Sequence, residues 1–317
     1  MRLRTNKAAV ILLGALLLAG GCGSHPREPQ HLRVAVLPIL DVLPLYVAES
    51  EGYFAEAGIQ VELVPAASAA ERDQLVQAGQ VDGFVTDPVA LALYNRDGLR
   101  VVAVRHAMLP TASMAQFRVL AAGSSGIAAP EGLRNIPIGV SEGTIIEYVT
   151  RKLLELEGLA PQEITVLGVP KIPDRMALLS AGDLQAATLP EPLASLAVQQ
   201  GAVVVLSDSA HPQLSCSLFA FRAEVLEAQP ETVRAFLRTV DRASTAINAD
   251  KPRWEGLLEE KGLLPAPLVG SYTLPDYPGN SLLMAAQYAD VIAWLQEGES
   301  LADTSPYEEA VRDEFLP

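Results

Sequence analysis

The sequence predicts an α/β protein of two similar lobes, each a mostly parallel sheet flanked by helices. Three observations predict it. The first is an internal repeat at a spacing of about 103 residues. Arg72, Leu75, Ala78 and Gly79 return in order as Arg175, Leu178, Ala181 and Gly182. One residue later in register, Asp87-Pro88 and Ala90 return as Glu191-Pro192 and Ala194. The second is the alternation, within each copy, of short apolar runs with helical patterns, which is how parallel strands and covering helices read. The third is a pair of strand-like segments outside the repeat, Phe117–Ala122 and Ser217–Phe221, placed to carry the chain from one lobe to the other and back. Two lobes joined by two crossings form a hinge around a cleft.

In the first copy, Leu32–Leu37 is a buried strand and Leu43–Ser50 a helix, interrupted by Gly52-Tyr53-Phe54. Ile59–Val64 alternates apolar and polar residues as a half-buried strand does. Ala69–Ala78 is a helix closed by Gly79, Val81–Val85 a strand, Pro88–Asn95 a helix with proline in its first turn, and Arg100–Val104 a strand. The second copy follows the flexible run Gly123-Ser124-Ser125-Gly126. Strand Ile136–Val140 leads into a helix from Ile145 to about Glu157, where Thr144 and Glu147 have capping-box spacing and Gly158 is the stop. Strand Ile164–Val169, helix Asp174–Ser180, strand Gln185–Leu189, helix Pro192–Gln199 and strand Ala202–Leu206 complete it.

Beyond residue 215 the pattern changes. Ser217–Phe221 is a returning strand, and Pro230 opens a helix with Val233, Phe236, Leu237, Val240 and Ile247 on one side. Helices at Lys251–Lys261 and Ser281–Gln296 follow. The crossings are expected near 118–125 and 215–222, with the tail on lobe one. The organisation expected is therefore 32–120 with 218–317 as lobe one and 121–217 as lobe two.

Residues 1–21 read as an export segment, with basic Arg2, Arg4 and Lys7 ahead of an apolar run too short to span a bilayer. Leu18-Ala19-Gly20-Gly21-Cys22 resembles a bacterial lipobox, which makes Cys22 the expected site of lipidation by palmitate or a similar acyl chain. Residues 22–31 are a polar, proline-bearing tether. An exported lipoprotein held at the cell membrane by its acyl chains needs no transmembrane helix. Without Arg2, Arg4 and Lys7 the chain has 20 basic against 38 acidic residues, a formal charge of −18. That surface excludes nucleic acid as a partner. Cys216 then stands alone among apolar neighbours as a buried, inert thiol.

Ligands bind open parallel sheets beyond the carboxyl ends of the strands. The four strand-end loops are Pro38–Asp41, Thr86-Asp87-Pro88, Ser141–Thr144 and Leu189–Pro192. Each holds a carboxylate (Asp41, Asp87, Glu142, Glu191) and none holds Lys or Arg. The candidate ligand-binding residues are Asp41, Thr86, Asp87, Ser141, Glu142, Gly143, Thr144 and Glu191. Such a lining favours a solute with amine, amidine or several hydroxyl donors. The competing reading makes the acids helix N-caps. Backbone N–H groups free at Ser141–Thr144 would instead suit an acidic group. Tyr46, Phe84 and Tyr148 lie near the loops, as core side chains or as stacking platforms.

Three other chemistries have a footing. Gly139-Val140-Ser141-Glu142-Gly143 fits G-x-S-x-G at a strand–turn–helix junction. Asp208 and His211 follow in hydrolase order, but three residues apart and without an oxyanion loop. The four loop carboxylates offer oxygen ligands for a metal cation, although His25, His31, His106 and His211 show no metal spacing. A lipoprotein sensor would have the same binding domain.

Leu45–Ile59 (LYVAESEGYFAEAGI), followed by Val61-Glu62-Leu63-Val64, is similar to a segment of the nitrate/sulfonate/thiamine-precursor family of ABC-transporter substrate-binding proteins. Ala78-Gly79-Gln80-Val81-Asp82 and Leu189-Pro190-Glu191-Pro192 resemble two further steps of that family. The resemblance spans most of 32–222. It implies a two-lobed periplasmic-binding-protein fold of type II and a monomeric, non-enzymatic protein without cofactor. Such a protein hands a small solute to a permease and its ATPase. Leu189 stands where the family often has an aromatic residue, which puts a stacking wall in doubt. The solute expected is an amine-bearing heterocycle such as a vitamin precursor. A sulfonate or similar oxyanion is the second reading, and it requires Arg118 or Arg175 to reach the cleft.

Overall fold

The computed structural model describes residues 30–317. The export segment, Cys22 and most of the tether lie outside the described residues. Strands β1 (Gln30–Val36), β2 (Ile59–Pro65), β3 (Gly83–Thr86) and β4 (Val101–Met108) belong to the first repeat. After β5 (Phe117–Ala121) come β6 (Pro137–Val140), β7 (Thr165–Gly168), β8 (Ala186–Pro190) and β9 (Val203–Ser207) of the second, then β10 (Ser217–Arg222). One sheet has the order β2-β1-β3-β10-β4, the other β7-β6-β8-β5-β9. Each repeat thus contributes four strands. The strand arriving from the opposite lobe is inserted antiparallel at the equivalent place in both.

Helices α1 (Leu43–Ser50), α2 (Tyr53–Glu56), α3 (Ala69–Gln77) and α4 (Pro88–Tyr94) cover the first sheet. Helices α5 (Ile145–Leu156), α6 (Ile172–Ala181) and α7 (Leu193–Gln199) cover the second. The tail carries α8 (Ala223–Ala228), α9 (Pro230–Ala249), α10 (Glu255–Glu260), α11 (Ala285–Glu297) and α12 (Tyr307–Ala310). The family-like GYF segment has a structural job. Gly52, at φ +72°, turns the chain between α1 and α2, a conformation that costs other residues more. Phe54 then stacks on Phe236 of α9 at 5.9 Å, and the Arg242 guanidinium lies 3.7 Å above Tyr53. The apolar stripe of α9 (Val233, Phe236, Leu237, Val240, Ile247) is fully buried.

Asp82 of the second family-like step is also structural. Its carboxylate accepts from Arg33 of β1 at 3.0 Å and from Arg222 of β10 at 3.1 Å. Burial opposes its charge, but the two arginines outweigh burial and hold the carboxyl below its usual range.

Several expectations need correction. His31 pairs with Gln60 inside β1, so the tether ends earlier than expected. The outbound crossing lies at 109–116, because Phe117–Ala121 already pairs with β8 and β9. The return crossing is 208–216. Gly123 is no flexible joint. A Cβ there would sit 2.5 Å from the Gly201 carbonyl, so the glycine is a close approach of two backbones. The tail also reaches beyond lobe one. Tyr148 of α5 donates to Asp290 of α11, Lys152 reaches the same carboxylate at 3.2 Å, and Gln199 of α7 donates to the Pro267 carbonyl at 3.2 Å.

Candidate functional site

The two lobes face each other across one cleft of about 1380 Å³. The strand-end loops of both repeats line it. Asp41, Thr86 and Asp87 come from the first lobe, and Ser141, Gly143, Thr144 and Glu191 from the second. Glu142 does not join them. It is exposed, and its carboxylate lies against Gly168 at the end of β7. The residues in a turn point in different directions, and only Glu142 of this one points away from the opening.

The lobe-one side carries the carboxyls of Asp41 and Asp87, with Arg72 in the same lining. Asp41 sits in a short 3-10 turn, and burial raises its carboxyl pKa against the opposing hydrogen bonds of Ser217 and Gln116. Asp87 is the N-cap of α4, accepting from the Ala90 N–H at 2.9 Å, so the capping reading holds for it. Burial raises its pKa too, with nearby Arg72 opposing. The hydroxyl of Thr86, in a residue 2% exposed, has no hydrogen-bond partner among the described residues.

The lobe-two side is neutralised. Glu191 Oε2 accepts from the Ser195 N–H at 3.3 Å, and Arg118 Nε lies 2.9 Å from Oε1. That approach is an ion pair without an aligned N–H, so Oε1 has no hydrogen bond among the described residues. Burial raises the Glu191 pKa more than Arg118 lowers it.

The N–H groups of the Ser141–Thr144 turn are less free than expected. Glu147 accepts from Gly143 N–H at 2.8 Å, and Thr144 Oγ1 accepts from Ile146 N–H at 3.2 Å. The capping pair therefore exists but is offset: Glu147 reaches Gly143 instead of Thr144. Ser141 Oγ donates to the Pro170 carbonyl at 3.2 Å and accepts from Arg175 Nη1 at 3.0 Å. Asp208, expected as a triad partner in the hydrolase reading, is committed elsewhere. It accepts from Gln116 N–H at 2.9 Å, Phe117 N–H at 3.1 Å and Ser215 Oγ at 2.6 Å, which ties the two crossings together. Burial pushes its pKa up to about 6. Ser141 has no imidazole among its described partners, and the hydrolase reading loses its geometry. Cys216 lies in the cleft wall, and burial, with Asp87 and Asp41 nearby, holds its thiol protonated.

Neither cation required by the oxyanion reading lines the cleft. Arg118 is paired with Glu191, and Arg175 lies fully buried behind Ser141. Among the described residues no group of three or more His, Cys, Asp or Glu is placed to hold a metal ion, so the four carboxylates form no cage. Tyr46, Phe84 and Tyr148 do not line the cleft. Phe84 and Tyr148 are core, packed edge-on against Tyr94 and Trp294, and Tyr46 is half-buried beneath Lys261. The lining also includes Arg72, Tyr94, Gln116 and Tyr272, which sequence reasoning missed. The repeat did single out Arg72. Gln116 lies in a crossing and Tyr272 in a proline-bounded tail segment, and no pattern marks either.

Residues 25–255 match the model of the NMT1-like family. The alkanesulfonate-binding protein SsuA of Xanthomonas axonopodis pv. citri, solved with MOPS, is similar in structure with a TM-score of 0.76 at 16% identity. The match covers 90% of this chain and 99% of that one. A ligand-binding component of an ABC-type import system from Staphylococcus aureus, solved with zinc, gives 0.74 at 14%, over 90% and 97%. The periplasmic nitrate-binding protein NrtA of Synechocystis PCC 6803 gives 0.71 at 16%, over 91% and 87%. No curated protein matches in sequence. At these identities the likeness establishes the fold, the two-lobed periplasmic-binding-protein fold.

Proposed function

Because this chain belongs to the NMT1-like family, we propose that it is the extracytoplasmic solute-binding component of an ABC-type importer. It captures a small organic solute between its lobes and presents it to a permease, without catalysing a reaction. The observation that carries this reading is the meeting of repeat-related loops from both lobes on one cleft. At about 1380 Å³ the cleft exceeds the roughly 300–1000 Å³ typical of a small-molecule site. Closure about the crossings at 109–116 and 208–216 is what brings both walls onto a small solute.

The solute class is an amine-bearing heterocycle of the vitamin-precursor kind. Asp41 and Asp87 supply acceptors on the lobe-one side, where Arg72 also lines the cleft, while Arg118 and Arg175 stand outside the lining. Asp41, Thr86, Asp87, Ser141, Gly143, Thr144 and Glu191 are the proposed contacts. Cys22 is proposed as the lipidated anchor, with the lobes hung on the short tether as a monomer. Mass spectrometry of molecules retained through purification tests the reading. A heterocyclic amine supports it, and a sulfonate or nitrate overturns the solute class.

A further inference from the structure

Helix α11 of the tail is fastened to lobe one at both ends of its segment. At the start, the His106 N–H of β4 donates to the Ser281 carbonyl at 2.9 Å. At the end, Thr304 Oγ1 donates to the Ala92 carbonyl of α4 at 2.8 Å, and the Ser305 N–H donates to the Asn95 carbonyl at 3.2 Å. Between these pins Tyr288, Val291 and Leu295 are buried, and the helix packs along α4.

Another side of α11 meets lobe two. One oxygen of Asp290 accepts from the Tyr148 hydroxyl of α5, and Lys152 Nζ lies 3.2 Å from the other. Trp294 packs edge-on against the Tyr148 ring with centroids 5.4 Å apart. Residues four apart on a helix share a face, so Tyr148 and Lys152 of α5 mesh with Asp290 and Trp294 of α11 across the lobe boundary. Tyr148 is buried, and burial followed by the Asp290 carboxylate raises its pKa, so the hydroxyl stays a donor. The Asp290 side chain is 47% exposed and Lys152 keeps partial contact with water. Separating the helices returns both charges to solvent, which makes the contact weak and reversible.

The same α5 lines the cleft at its start, through Thr144, Ile145 and Ile146. One helix therefore carries a piece of the cleft wall and, from Tyr148 onward, the contact with the tail. We propose that Tyr148, Lys152, Asp290 and Trp294 form an interlobe latch, with α5 as the lever between it and the cleft. The crossings at 109–116 and 208–216 permit rotation of the lobes, and the latch sets their resting angle. The latch works the same way whatever solute the cleft takes.

The test pairs small-angle X-ray scattering with acrylamide quenching of tryptophan fluorescence, on the full chain without added solute. Trp254, 4% exposed, supplies a constant background to the Trp294 signal. Tyr148→Phe keeps the ring against Trp294 and removes the hydroxyl; Asp290→Asn keeps the shape and removes the charge. Each is expected to raise the ratio of unlatched to latched molecules about two- to tenfold, the worth of one hydrogen bond. That change reads as stronger quenching together with an altered radius of gyration. Arg242→Gln, which removes an ion pair to Glu56 inside lobe one, is the control and should match the wild type in both measurements. Scattering unchanged in both latch variants overturns the inference, even where quenching rises, because Trp294 has then loosened locally with the lobes unmoved. A shift of equal size in Arg242→Gln overturns it as well.

Discussion

Arg175 donates to Ser141 Oγ at 3.0 Å from a fully buried position, with no carboxylate beside it among the described residues. Its repeat counterpart Arg72 lies 2.8 Å from Asp73. One repeat later, Met176 occupies the position of Asp73, so lobe two keeps the guanidinium without its counter-ion. Desolvation lowers the Arg175 pKa to about 10, and two of its nitrogens have no partner among the described residues.

Ser141 is thereby a clasp, with its proton on the Pro170 carbonyl. Ser141→Ala is expected to cost about 1–3 kcal/mol, because one N–H of a buried guanidinium loses its acceptor while the Val169 carbonyl keeps the other at 2.8 Å, and to lower the melting temperature by several degrees. A fluorophosphonate probe should leave the wild type unmodified. Labelling that disappears in Ser141→Ala would restore the hydrolase reading.

Glu191 faces the cleft, and its partners can be spared. Arg118 keeps partial access to water when Glu191 is neutralised, so Glu191→Gln should shift stability by no more than about 1 kcal/mol. Binding of the co-purified solute should weaken at least about tenfold, the usual scale for losing a charge-assisted hydrogen bond. Paired calorimetric and melting measurements check this, and equal losses in both would mark Glu191 as structural.

Asp208 makes the hinge sensitive to pH. Its pKa rises from 3.8 to about 6 in the folded chain, so between those values the folded state holds more protons than the unfolded. Its contribution to stability is fully present below pH 3.8 and is lost as pH rises through 6. The stability of wild type relative to Asp208→Asn should therefore fall by roughly 2 kcal/mol between pH 4 and 7. Denaturant titrations of both proteins across that range check the sign. A difference that is flat or rising with pH would contradict it.

Gly123 opposes the Gly201 carbonyl with no room for a methyl group. Gly123→Ala should destabilise by about 1–3 kcal/mol through overpacking, as read by denaturant unfolding. A neutral result would restore the flexible joint the glycine–serine run suggested.

The sequence by itself determined the repeat, the order of strands and helices and the acids at the strand ends. These are local properties, written in periodicity and in the residues that start and stop elements. The family-like GYF step was legible for the same reason, since a glycine at positive φ and a stacked phenylalanine leave a short, contiguous trace. Tertiary structure alone decided that Glu142 turns to Gly168 while Glu191 faces inward, that Arg175 clasps Ser141, that Asp208 ties the crossings, and that Tyr272 of the tail lines the cleft. Each of those depends on which distant segment packs alongside. Side-chain direction in a turn follows from that packing, so adjacent residues of one loop can be sent to opposite sides.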